Sequence, residues 1–323
     1  MQVLWGLAGV VVLIAIAFLL SKNRRAINLR TVIGALIIQI AFAVIVLYWD
    51  LGRRALRLLT DGVQAVINTS NAGIEFLFGP VLPDEGVAFA FQVLPIIIFF
   101  ASLTSVLYYL KILQWVVELL GRGLQKALGT SGPESRTPAP EDKAVTEDQF
   151  LEYRNVIDAA ASGAADGLRL ALNVGAMLIA FISLLALLNL ILGSIGGLFG
   201  FGDLSLQLIL GYVFAPVAFV IGVPWNEALD AGSFIGQKTI LNEFVAYSNF
   251  GPRVEEFSEK TVAIVTSALA GFANFGTIAI LIGGVGGMAP SRRHQIAQFG
   301  IRALIAGTLA NLLNAAIAGM LVG

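Results

Sequence analysis

The sequence predicts an all-α polytopic membrane protein. Of its 323 residues, 57% are hydrophobic and only 13% are charged, about half the charge of an ordinary soluble domain. Mean hydropathy is +0.85. Several apolar runs reach about 20 residues, enough to cross a hydrocarbon core of about 30 Å. A net charge of −1 offers no electrostatic case for a nucleic-acid partner. The chain has no cysteine, and His294 is its one histidine. Disulfides, thiolate nucleophiles and multi-histidine metal centres are therefore excluded. No nucleophile–base pairing and no carboxylate pair suggests catalysis, so the chain reads as a non-enzyme.

The expected layout is about six transmembrane helices, one re-entrant hairpin, interfacial helices and a discontinuous helix at 261–288. Residues 3–20 are uncharged, and Lys22, Arg24, Arg25 and Arg30 follow them. A signal peptide carries its charge before the apolar run. Here the basic cluster comes after it and should stay in the cytoplasm, leaving the N-terminus outside. Residues 31–49 return outward, with Tyr48 and Trp49 as interfacial anchors. Along 50–78, Leu51, Ala55, Leu58, Leu59, Gly62, Val63, Val66 and Ile67 fall at helical spacing, with Arg53, Arg54, Arg57 and Asp61 between them. That pattern fits either an amphipathic interfacial helix or a packed peripheral helix with a solvated face.

Residues 89–117, with Pro95 near the outer end, lead back inside, where Lys111, Arg122 and Lys126 lie. An amphipathic piece at 113–128 ends at Gly129. The stretch from Thr130 to Asn155 then changes character. Pro133, Pro138 and Pro140 break structure, and Glu134, Glu141, Asp142, Glu147, Asp148 and Glu152 make it acidic. It reads as a solvated cytoplasmic linker. Residues 167–192 form the next crossing, with small residues before it that permit close helix approach. A turn is expected at 193–202, and the Pro216-containing run 204–220 reads as interfacial. Residues 224–250 suit two half-helices joined near Asn242, a re-entrant hairpin. Then come a charged loop at 253–260, a crossing at 261–288 broken at 271–276, a basic turn at Ser291, Arg292, Arg293 and His294, and a last crossing at 296–322 that ends outside. His294 reads as a solvated turn residue. As domains, 1–128 is an N-terminal helical scaffold, 129–155 the acidic linker, 156–223 a scaffold and interfacial helix, and 224–323 a transport-type repeat.

Two polar islands interrupt the apolar second half. They are Asn242-Glu243-Phe244-Val245-Ala246-Tyr247 and Gly271-Phe272-Ala273-Asn274-Phe275-Gly276-Thr277. A carboxylate at membrane depth is costly unless it faces a cavity or a partner. Glu243 is read as an acceptor for a hydroxylated substrate; the plainer alternative is an interfacial glutamate. Asn274 and Thr277 direct an amide and a hydroxyl to one place, whether helical or unwound, or they bond between helices. Phe272 and Phe275 can stack on a planar ligand, although a lipid-facing or core role is the commoner use of such residues. Glu227, after Pro224, complements a helix N-terminus. Gly232-Ser233-Phe234-Ile235-Gly236-Gln237-Lys238-Thr239 imitates a phosphate loop with the wrong spacing and is rejected. Gly283-Gly284-Val285-Gly286-Gly287 reads as a flexible helix end.

With these residues the chain resembles the concentrative nucleoside transporter family in its bacterial form. Besides the two islands, the matching stretches are Asn28-Leu29-Arg30-Thr31, Leu94-Pro95-Ile96-Ile97-Ile98-Phe99-Phe100, Leu124-Gln125-Lys126-Ala127-Leu128-Gly129-Thr130, Ala171-Leu172-Asn173-Val174-Gly175-Ala176-Met177 and Gly222-Val223-Pro224-Trp225-Asn226-Glu227. The resemblance implies a homotrimeric, Na+-driven nucleoside importer of the bacterial inner (plasma) membrane that works by an elevator-like movement. It implies that Glu243 and Asn274 hold the ribose hydroxyls, that Thr277 supplies a hydroxyl where some members have serine, and that Phe272 lines the site. It also exposes a departure. An earlier re-entrant hairpin, with a tip reading approximately Gly-Gln-Thr-Glu-Ala-Pro, and the two membrane segments after it have no counterpart between Ser135 and Arg136. In the family that unit reads the base and supplies most sodium ligands, so no metal-ligand set is assigned here. The alternatives are a transport-incompetent form that acts as a scaffold or regulatory subunit, and a proton-coupled nucleoside importer.

Overall fold

The computed structural model describes residues 2–21, 23–83, 88–128, 153–278 and 293–322. All regular elements among the described residues are helical. They are α1 (Gln2–Leu20), α2 (Leu29–Tyr48), α3 (Asp50–Phe78), α4 (Phe89–Gln92), α5 (Leu94–Tyr109), α6 (Ile112–Leu128), α7 (Val156–Leu198), α8 (Leu206–Val220), α9 (Trp225–Ile240), α10 (Glu243–Phe250), α11 (Glu259–Leu269) and α12 (Arg293–Val322). Five of these spans, in α1, α2, α4–α5, α7 and α12, are long and apolar enough to cross a membrane. The bent pair α8–α9 raises the number to six if it counts as one span. The far half of the crossing expected at 261–288, the linker at 129–152 and the glycines at 283–287 lie outside the described residues.

Boundaries moved where a local backbone choice decided them. The third crossing ends at Tyr109, not at 117, because Lys111 adopts φ 60° and turns the chain before α6 begins. A left-handed lysine is uncommon but carries no β-branch to forbid it. Pro95 lies near the start of that span, as expected, in the first turn of α5, where its missing N–H costs nothing. The helix expected at 167–192 runs 43 residues, Val156–Leu198, and takes in the first part of the turn expected at 193–202. Its glycines are contact points and not breaks. Added Cβ atoms at Gly163 and Gly167 would strike Ala101, Ser105 and Ile98 of α5. The chain turns only after Leu198, where Phe201 donates back to the Gly196 carbonyl at 2.7 Å and Gly200 takes φ 81°. His294 sits exposed in the first turn of α12, not in a turn before it.

Two compact units emerge. One comprises Asn28–Ile38 and Tyr48–Ile182. Within it α5 rests against α7, and Ser102 donates to the Ala160 carbonyl at 3.0 Å. The other comprises Met1–Ile27, Gln39–Leu47 and Ser183–Gly323 and holds both polar islands. In this second unit α8 and α9 meet at 116° around Gly222, whose φ of 109° suits glycine. Gly232 and Gly236 of α9 then lie against α8. A Cβ at Gly232 would come within 2.6 Å of the Ala215 nitrogen. The glycines that imitate a phosphate loop are thus a helix-packing face.

The base of the α9–α10 hairpin is closed by a ring cluster. Phe234 lies 5.2 Å from Phe250 and 5.9 Å from Phe257. Arg253 caps it, 5.7 Å above Phe234 and 5.6 Å above Phe257, while pairing with Asp230 at 3.0 Å and Glu256 at 2.8 Å. The bond to Glu256 first, then that to Asp230, raises the pKa of Arg253 above its ordinary value. Glu227 does more than complement the α9 dipole. Its carboxylate accepts from the Ser258 hydroxyl at 2.9 Å and so ties α9 to the start of α11. Nearby, burial lowers the pKa of Lys260, whose ammonium sits 5.2 Å over Trp5.

The last helix seals the unit. Gly319 of α12 faces Ile264 of α11, and Gly271 faces the side chain of Asn311 with no room for a Cβ.

Two outcomes follow from this packing. Arg253→Ala should cost about 1 kcal/mol through lost cation–π contact and pairing, read as a lower melting temperature in detergent. Gly271→Ala should cost about 1–3 kcal/mol through overpacking, and Asn311→Ala should recover most of that loss in the double variant.

Candidate functional site

Both islands are helix breaks. The hairpin breaks at Leu241–Asn242, between the end of α9 and the start of α10. A helix start leaves backbone N–H groups without intrahelical partners. Asn242 meets this need: its side chain accepts from the Val245 N–H at 2.8 Å, an ordinary N-cap. Glu243 is therefore the first residue of α10, at the end where the helix dipole favours an anion.

The second break follows α11, which ends at Leu269. Residues 271–274 are non-helical, and the helix resumes over 275–278. Asn274 caps that resumption, its Oδ1 accepting from the Thr277 N–H at 2.8 Å. The Thr277 hydroxyl lies 2.7 Å from the Phe272 carbonyl and 3.0 Å from Asn274 Oδ1, and its single proton serves one acceptor at a time. Asn274 and Thr277 are thus joined as cap and third residue of one helix start. This geometry falls between the fully helical and fully unwound expectations.

The two breaks meet. Asn274 Nδ2 donates to Glu243 Oε2 at 2.7 Å, a charge-assisted bond across 31 residues of sequence. Asn274 is only 4% exposed, while Glu243 is partly exposed. Tyr247 makes a second tie, its hydroxyl donating to the Thr266 carbonyl of α11 at 2.7 Å. Glu243 Oε1 carries no hydrogen bond among the described residues, and one proton of the Asn274 amide remains. The pair therefore offers a free carboxylate oxygen next to a free amide proton. That suits two neighbouring hydroxyls, one donating to the carboxylate and one accepting from the amide.

Phe272 and Phe275 are exposed. Phe272, Asn274 and Thr277 line a cavity of about 230 Å³ against Gly300, Ala303, Leu304 and Gly307 of α12. Glu243 stands outside that lining. Glu243, Asn274 and Thr277 thus form one hydrogen-bonded chain, and Phe272 sits at its edge. Among the described residues no cluster of three His, Asp or Glu side chains offers a metal site.

Three residues near the breaks escaped the sequence reading. Lys238 and Gln237 are 1% and 2% exposed at the end of α9, and Asn311 meets Gly271. A charged or amide side chain in an apolar run was the available signal for each.

Comparison with known proteins shows the family of the chain. One family model, described as the C-terminus of the Na+ dependent nucleoside transporters, matches residues 127–319, and one described as their N-terminus matches residues 8–81. The uncharacterized transporter YutK of Bacillus subtilis is 46% identical, with both chains fully covered. The nucleoside permease NupC of Helicobacter pylori is 38% identical over 99% of this chain and 98% of its own length. The sodium/nucleoside cotransporter 1 of Rattus norvegicus is 31% identical over 97% of this chain and 63% of its own length. Among solved structures, CNTnw in an inward-facing substrate-bound state superposes with a TM-score of 0.92 at 39% identity, covering 99% of this chain and 98% of its own. A variant of the same protein in an outward-facing state gives 0.93 at 40% identity.

The alignment with YutK occupies 404 positions against 323 residues here, so at least 81 positions are filled by the relative alone. Both chains are covered to their ends, so that surplus is internal. These relatives are transporters and not enzymes, and the Na+ dependence in the family description does not favour a proton-coupled reading. The chain belongs to the concentrative, Na+ dependent nucleoside transporter family.

Proposed function

We propose that Glu243 and Asn274 bind the ribose of a nucleoside, with Thr277 and Phe272 completing the same half-site. The observation that carries this reading is the 2.7 Å bond between the Asn274 amide and the Glu243 carboxylate. It presents an acceptor and a donor side by side, matched to vicinal hydroxyls. A site built to bond hydroxyls rejects analogues that lack them, because its own polar groups are then left unpaired. The parent activity is Na+-coupled nucleoside import by an elevator-like movement of 224–323 against a scaffold of 1–128 and 156–223. It takes place in a homotrimer in the bacterial inner membrane, with both termini outside. Membership of a family described by Na+ dependence supports the coupling ion.

A second reading concerns this form of the chain. The internal surplus of at least 81 positions in the relative is about the length of a hairpin and two crossings. We place it between Ser135 and Arg136, where the expected base-reading unit has no counterpart. Transporters of this design hold substrate between two repeats. With one repeat absent, the ribose half-site stands without its opposing wall, and the chain acts as a binding or scaffold form.

Calorimetry with uridine and 2′,3′-dideoxyuridine tests the first reading. Uridine should bind the more tightly, and Glu243→Gln should weaken uridine at least about tenfold, the loss expected for hydrogen bonds to a charged group. Unchanged affinity would remove Glu243 from the site. In proteoliposomes with an inward sodium gradient, the chain should show no uridine accumulation above empty vesicles. Clear Na+-dependent uptake would overturn the second reading.

A further inference from the structure

The hairpin from Trp225 to Phe250 carries four charged side chains: Glu227, Asp230, Lys238 and Glu243. Two are held by polar partners at its base. Glu227 accepts from Ser258, and Asp230 pairs with Arg253. The other two flank the tip, separated by four residues, and neither makes an ion pair among the described residues. Lys238 is the extreme case. It is 1% exposed, and among the described residues no carboxylate comes within 4.0 Å of its ammonium and no hydrogen bond to it is formed. Its neighbour Gln237 is occupied by Ser233 at 3.1 Å and Asn249 at 2.5 Å.

A buried ammonium with no partner is costly unless its surroundings supply a compensating field. Two sources are present. Lys238 lies in the last turn of α9, where unsatisfied carbonyls favour a cation. The other is the Glu243 carboxylate, five residues on across the hairpin tip. The arrangement is reciprocal, since Glu243 opens α10 at the dipole end that favours an anion. Each charge therefore sits on the helix end that suits it, with Leu241 and Asn242 between the two ends. Coulomb attraction in a partly dry site falls off slowly, so a direct contact is not required.

We infer that Lys238 is the counter-charge of the hairpin tip, a positioning residue whose ammonium holds the Glu243 carboxylate in place as an acceptor for the nucleoside's ribose hydroxyls. The inference rests on the ribose reading above. Lys238 touches no substrate; it acts through the carboxylate five residues on. The strength with which the site reads hydroxyls, and not its affinity for the rest of a nucleoside, depends on this residue.

Two measurements on the full chain test this. In the first, Lys238→Met is compared with the unsubstituted chain by calorimetry. Uridine affinity should fall about tenfold while 2′,3′-dideoxyuridine stays within about twofold, and Lys238→Arg, which keeps the charge, should preserve the ratio between the two ligands. In the second, melting temperatures are measured without ligand for Lys238→Met, Glu243→Gln and the double variant, a double-mutant cycle. Lys238→Met should lower the melting temperature of the native background. It should raise that of the Glu243→Gln background, because there it removes an ammonium that has lost its counter-charge. Failure of Lys238→Met to fold alone, with recovery in the double variant, is the same sign reversal. A shift of one sign in both backgrounds means that Lys238 serves packing, and overturns the inference. Sign reversal with equal loss of both ligands also overturns it, because the charge pair then does not serve the hydroxyls. Wild-type uridine affinity in Glu243→Gln would instead defeat the ribose reading, while the melting cycle still reports on the charge pair.

Discussion

The bond between the Asn274 amide and the Glu243 carboxylate is the contact on which the second unit turns. A helix interrupted inside an apolar layer frees backbone N–H groups that no water is at hand to satisfy. Each interruption here solves the problem with an asparagine. Asn242 caps α10 and Asn274 caps the resumed helix after 274. Because Asn274 accepts the cap with its oxygen, its nitrogen is left pointing at the other break. Glu243 is already placed at a helix start, where its charge is tolerated. One side chain thus satisfies backbone and site together.

Everything packed around the breaks can be read as keeping that bond in register. The ring cluster under Arg253 fixes the open end of the hairpin. Gly232 and Gly236 let α9 press on α8 at backbone distance. Tyr247 clamps α10 to the last turn of α11, and Gly271 admits Asn311 where any Cβ would collide. Close packing of this kind transmits small shifts. A displacement at the hairpin base therefore reaches the tip. The chain that makes these contacts belongs to the nucleoside transporter family, and YutK carries at least 81 internal positions that it does not.

Much of this was legible before any coordinates. The apolar runs located α1, α2 and α12 to within a few residues, because a membrane helix must satisfy its whole backbone internally and its length is set by the bilayer. Asp50–Phe78 emerged with its bounds intact, since its amphipathic spacing continues unbroken and Phe78 is followed by Gly79 and Pro80. The polar islands marked both breaks for the same reason: Asn, Glu and Gly amid aliphatic residues have few other uses at that depth. The small residues before the crossing expected at 167–192 were legible as a close-approach face, which Gly163 and Gly167 are, but not as helix, and α7 starts earlier because a glycine pressed on a neighbouring helix regains in packing what it loses in propensity. Lys238 was legible only as part of a false phosphate loop, since nothing in linear order shows that its neighbours bury it.

The sequence by itself determined the class of protein, the order of its helices, the positions of the two breaks and the identity of the polar residues within them. These are local or compositional properties, fixed by hydropathy, capping residues and helix period. Tertiary structure decided which polar groups meet. That Asn274 donates to Glu243 and that Tyr247 reaches Thr266 depend on bringing residues 31 and 19 positions apart onto one locus, and the burial of Lys238 depends on what packs around the end of α9. Those distances are set by how glycine and alanine faces let helices approach, a property of pairs of surfaces that no single stretch of chain contains.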